Sequence, residues 1–150
     1  MKFSHSQVVN APVDRVWALL RDPQKIAPAI PGFQSMEVLD DTNFRVQIAQ
    51  RVGPFRAQFD LRMTLNEVVE SKRISASGQG AEAGGGWLKV SSAVVELEQL
   101  AEDETGLTFD MEFSLLGKLG SLGYPVVKRK AGEIARLFGE NLKKSLEQEP

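Results

Sequence analysis

Between Phe33 and Leu115 the chain alternates hydrophobic and polar residues with a period of two. Phe44, Val46 and Ile48 alternate with Arg45, Gln47 and Ala49. Phe55, Ala57, Phe59, Leu61, Met63 and Leu65 alternate with Arg56, Gln58, Asp60, Arg62, Thr64 and Asn66. Leu107, Phe109, Met111, Phe113 and Leu115 do the same against Thr108, Asp110, Glu112 and Ser114. In a strand this rhythm sends apolar side chains to one face and polar ones to the other, as in an antiparallel sheet with one wet side. Gly53-Pro54, Glu70-Ser71-Lys72 and Glu102 through Gly106 supply the turns. The pattern predicts strands near 34–40, 43–51, 54–70, 72–80, 86–100 and 106–116, after an opening strand near 2–9.

The period changes at both ends. Val13, Val16, Trp17 and Leu20 recur at helical spacing behind Pro12, a favourable helix start. Asp22-Pro23 closes that helix and opens a second short one through Ala29, which Pro31-Gly32 stops. Val127, Ala131, Ile134, Phe138 and Leu142 form the apolar stripe of a long helix from Tyr124 to about Glu147. At 1.5 Å per residue it reaches roughly 36 Å, enough to cross the sheet.

Composition narrows the chemistry. The 150 residues are 42% hydrophobic and 25% charged, which suits one globular domain spanning 1–150. A net charge of -2 gives no global basic field for nucleic acid. There is no cysteine, hence no disulfide, thiolate nucleophile or zinc-thiolate site. His5 is the single histidine, so no imidazole cluster can hold a metal. No resident metal or cofactor is expected. Paired carboxylates on an apolar stripe and a Gly-x-Ser-x-Gly elbow are both missing. No run approaches the ~20 apolar residues of a membrane span, and Met1 through Ser6 lacks a signal-peptide core. A cytoplasmic location is expected.

The element order resembles the α+β helix-grip fold of START and Bet v 1-like (SRPBCC) proteins, in which a curved seven-stranded antiparallel sheet wraps the last helix. Ala11-Pro12-Val13-Asp14-Arg15-Val16-Trp17 resembles the opening segment of that superfamily. Asp22-Pro23 followed by Ile30-Pro31-Gly32, and Val52-Gly53-Pro54-Phe55-Arg56-Ala57-Gln58-Phe59, are similar to segments of the CoxG family of carbon monoxide dehydrogenase proteins. Gly78-Gln79-Gly80 and the run Gly117 to Gly123 fall where that family places its glycines. The resemblance implies an apolar cavity between helix and sheet. It also implies a quinone or lipid-like ligand, and a role in the assembly or membrane recruitment of a molybdenum-containing carbon monoxide dehydrogenase. Some members carry a hydrophobic C-terminal anchor. This sequence closes on Glu147-Gln148-Glu149-Pro150, so any contact with the inner face of the membrane is expected to be peripheral.

Strand parity nominates Phe44, Phe55, Phe59, Met63, Phe109, Met111 and Phe113 as cavity walls, with Val127, Ile134 and Phe138 as the helical roof. Family topology adds Phe33 and Trp87. Trp87 shares the inward parity of Val95 and Leu97 unless a bulge intervenes. Parity leaves His5 on either face. Gly117, Gly120 and Gly123 read as a flexible connection or as a gate. Lys128-Arg129-Lys130 reads as a solvated helix face or as a contact for anionic lipid or an acidic partner. The expected function is non-catalytic binding of an apolar ligand by an accessory factor. Two alternatives stand beside it: a polyketide-cyclase-like enzyme, for which Tyr124 is the least poor catalytic candidate, and an assembly factor whose cavity is incidental.

Overall fold

In the computed structural model, which describes residues 1–147, the alternating segments become one antiparallel sheet in the order β1-β7-β6-β5-β4-β3-β2. Its strands are β1 (Lys2–Val9), β2 (Phe33–Val38), β3 (Asn43–Val52), β4 (Phe55–Val69), β5 (Arg73–Glu82), β6 (Trp87–Ala101) and β7 (Glu104–Leu116). Strands β2 to β7 form a meander of hairpins, and β1 returns to pair with β7. Gln148, Glu149 and Pro150, on which the expectation about an anchor rests, lie outside the described residues.

Two boundaries move for local reasons. The second strand stops at Val38, short of the expected 40, because the Asp40 carboxylate accepts from the backbone N–H groups of Thr42 and Asn43, both at 2.9 Å, and folds the chain into a turn. The last strand starts at Glu104, ahead of the expected 106, since Glu102 and Asp103 suffice for the turn. Thr105 is thereby drawn into the fold, and its hydroxyl donates to the Ala11 carbonyl at 2.8 Å.

The helices follow their caps. Helix α1 (Val13–Leu20) begins behind Pro12. Helix α2 (Pro23–Ile26) starts where the Asp22 side chain accepts from the Gln24 N–H at 3.0 Å, and a 3₁₀ turn continues it to Ala29. Helix α3 (Tyr124–Glu147) lies along β1. Gly132 and Gly139, two turns apart on α3, face Phe3 and Gln7 of β1. A Cβ at 139 would overlap the Gln7 amide, so the bare backbone there lets the helix seat itself on the strand.

Three apolar clusters hold these layers together. One joins α1 and the C-terminal half of α3 to the sheet through Val9, Val16, Leu20, Leu97, Leu107, Leu142 and Leu146. A second closes the β3–β4 hairpin against the strap that precedes α3, through Val52, Ala57 and Leu119. The third joins Val127 to Val90 and Phe113. The helix touches the sheet at β1 and β3, and its apolar face reaches Val90, Leu97, Leu107 and Phe113 of β6 and β7 through the first and third clusters.

Candidate functional site

Register places the inward residues unambiguously. Phe44 pairs with Met63, Val46 with Leu61, Ile48 with Phe59 and Val52 with Phe55 across β3 and β4. Phe33 pairs with Ile48 from β2. On the other half of the sheet, Val90 pairs with Phe113, Ala93 with Met111 and Val95 with Phe109. The concave face therefore brings together Phe33, Phe44, Phe55, Phe59, Met63, Phe109, Met111 and Phe113, opposite Val127, Ile134 and Phe138 of α3.

These residues do not form one continuous wall. Phe55 and Phe59 pack into the hairpin cluster, Met63, Met111, Phe113 and Val127 into the Val90 cluster, and Phe109 and Phe138 into the Leu142 cluster. The Phe109 and Phe138 rings meet edge to face at 5.5 Å. Phe33, Phe44 and Ile134 join none of the three, and neither do Ile48 and Leu65, which share the concave parity. All five are half-buried. Beside them the sheet is closely packed strand on strand. Gly78 and Gly80 of β5 point the same way without side chains, and the Met63 sulfur crowds the place where a Cβ at 78 would be. Half-buried apolar side chains thus lie between the packed clusters without belonging to any of them.

Trp87 corrects one expectation. A β-bulge interrupts β6 between Val90 and Ser92 and shifts its register against both β5 and β7. The shift at Ser91 reverses parity, so Trp87 faces outward beside Leu116, 40% exposed, with its indole N–H donating to Gln79 at 3.3 Å. It lines no part of the concave face. Tyr124 is 51% exposed, with the Lys128 ammonium 5.5 Å from its ring, and is likewise removed from the interior.

His5 falls on the concave side. Its ring stacks on Phe109 with centroids 6.2 Å apart, and Nε2 lies 3.3 Å from the Gln7 side-chain oxygen. Among the described residues, Thr105 is the one polar side chain in the buried set, and no group of three or more His, Cys, Asp or Glu is drawn together. Among them, too, no helix is long and apolar enough to cross a membrane.

Three surface depressions of about 400 Å³ lie elsewhere: on the β3–β4 hairpin, along β1 and β7 beside Ser92, and between α1 and the end of α3. The contacts around Gly132 and Gly139, the bulge, and the inward Ile48 and Leu65 fall outside the site that strand parity nominates. For Ile48 and Leu65 the signal is present in the strand alternation, but a choice of aromatic and methionine side chains passes over them.

The geometry agrees with known structures. A conserved protein from Geobacillus kaustophilus superposes with a TM-score of 0.90 at 17% identity, covering 99% of this chain and 96% of that one. A START superfamily protein from Mycobacterium smegmatis gives 0.69 at 16% identity, covering 98% and 97%. A Streptomyces aromatase/cyclase gives 0.64 at 18% identity, covering 97% and 95%. At such identities the likeness concerns the fold, which is the seven-stranded helix-grip architecture expected from the element order. No curated protein sequence matches significantly. The family model of the carbon monoxide dehydrogenase protein CoxG matches residues 6–147. That match spans every strand and helix from the middle of β1 to the end of α3, and the chain belongs to the CoxG family of carbon monoxide dehydrogenase proteins.

Proposed function

We propose that the protein binds an apolar, quinone- or lipid-like molecule between α3 and the concave face of β3–β5. In this reading it does no chemistry on the ligand and serves as an accessory factor to a molybdenum-containing carbon monoxide dehydrogenase-type oxidoreductase. The observation that carries the reading is the half-buried set Phe33, Phe44, Ile48, Leu65 and Ile134, which belongs to none of the three clusters. Apolar surface that stays partly exposed gains about 25 cal/mol for each Å² a ligand removes from water. A quinone ring with a few isoprene units would cover several such side chains, enough for micromolar affinity after association costs. Phe55, Phe59, Met63, Phe109, Met111, Phe113, Val127 and Phe138 would bound the site at its ends. With Thr105 bonded to Ala11, no buried ionisable group among the described residues stands ready as acid or base, which favours binding over catalysis.

Peripheral contact with the inner membrane face would use Lys128 and Arg129, both exposed, more than Lys130, which bonds Glu133 at 3.4 Å. A second reading, an assembly factor with no ligand of its own, is favoured by the position of the three depressions on the outside of the fold. Native mass spectrometry on protein purified from its own host separates the two. A co-purified lipid or quinone at one equivalent supports the carrier, and a bare polypeptide mass supports the assembly factor.

A further inference from the structure

On the outer face of the β3–β4 hairpin, Arg51 and Arg56 are direct cross-strand partners, and both are exposed. Like charges so placed repel. The same hairpin repeats the problem at Arg45 and Arg62 and resolves it there. Asp60 accepts from Arg45 at 2.8 and 2.5 Å, and the charge of Arg62 also holds its carboxyl down. Arg51 and Arg56 have no such relief. Among the described residues neither takes part in an ion pair or a side-chain hydrogen bond.

Between them lies a depression of about 420 Å³, bounded by Ala49, Gln50 and Pro54. The chain's acidic turns, Asp40-Asp41, Glu70 and Glu102-Asp103, sit at the opposite end of the strands.

We infer that this hairpin face is the docking site for an acidic segment of a protein partner, with Arg51 and Arg56 clasping one projecting carboxylate. Two guanidinium groups offer paired N–H donors matched to carboxylate geometry. The site is concave and flanked by two cations, which suits a protruding acidic segment rather than the plane of a bilayer. It lies on the polar side of the sheet, so its occupancy is independent of any ligand under α3.

The test is an NMR titration of the isotopically labelled chain with a hexaglutamate peptide at low ionic strength. Saturable amide shifts confined to residues 49–58 are expected. Arg51→Glu/Arg56→Glu should weaken binding at least about ten-fold, as should the milder Arg51→Gln/Arg56→Gln, with the amide spectrum of the remaining fold unchanged. Charge reversal at Lys143 and Lys144 should leave binding as it was. Shifts spread over all cationic surfaces, or preferential saturation of the hairpin by inorganic phosphate or phosphatidylglycerol vesicles, would overturn the assignment. Because these arginines point away from the concave face, failure here leaves the apolar-ligand reading standing, and the reverse holds too.

Discussion

The Gln7 side chain donates through Nε2 to the Gly139 carbonyl at 2.9 Å, stitching the first strand to the last helix across 132 positions of sequence. The bond is possible because residue 139 has no side chain. Neighbouring ties act the same way: Arg15 donates to the Leu146 carbonyl at 2.6 Å and Asn141 to that of Ala29 at 2.8 Å. The helix is thus anchored to β1 and to the short helices. Among the described residues, its flank toward β3–β5 carries no such side-chain bond.

Gly139→Ala should therefore destabilise the fold by about 1–3 kcal/mol, an overpacking cost, despite alanine's better helix propensity. Adding Gln7→Ala should recover part of the loss, and the non-additivity of the double-mutant cycle in chemical denaturation measures the contact. Equal stability of Gly139→Ala and the parent protein would show that the approach is looser than described.

Two residues of the same helical stripe should respond differently to truncation. Leu142 is 1% exposed inside its cluster, so Leu142→Ala should cost about 2–5 kcal/mol. Ile134 is half-buried and belongs to no cluster, so Ile134→Ala should cost well under half as much while weakening ligand binding more. Urea melts with and without ligand distinguish the two effects.

Acid should weaken the outer face of the hairpin in a definite window. The hydrogen bond from Arg45 holds the Asp60 carboxyl below its ordinary value, and the Asp60 contact raises that of Arg45. A depressed folded-state carboxyl contributes stability above its unfolded pKa, and that contribution is lost as pH falls through the folded value. Asp60→Asn should thus lower stability slightly at neutral pH, the pair being 40% exposed on both sides. The gap between variant and parent should close below about pH 4. A gap that widens on acidification would contradict the assignment.

Metal analysis after exhaustive dialysis should find no stoichiometric zinc, iron or molybdenum. The chain has no thiol and a single imidazole, which packs on Phe109 beside Gln7. One equivalent of tightly held metal would contradict this.

The strand and helix plan was legible in the sequence because periodicity is a direct imprint of burial. The alternation over Phe55–Leu65 and the stripe Val127/Ala131/Ile134/Phe138/Leu142 each reappear in the structure as one face of one element. Parity fails where the backbone inserts an extra residue. Ser91 and Ser92 are both small and polar, so nothing in their pattern marks the bulge that turns Trp87 outward. Gly132 and Gly139 were equally silent, since a helical glycine reads as a weak helix former until the strand beneath it is known. The division of the aromatic stripe among three clusters depends on how far the sheet curves, which alternation does not encode.

The central claim is that apolar surface between α3 and β3–β5 is kept for a ligand, and titration of the Trp87→Phe variant with a short-chain quinone tests it most directly. That variant reports through Trp17, which packs on the Leu142 cluster together with Phe109 and Phe138. Saturable quenching with a micromolar midpoint, a raised melting temperature, and loss of both in a folded Phe44→Asp variant are the predicted results. Unchanged fluorescence and melting temperature across a panel of quinones and lipids would contradict the claim.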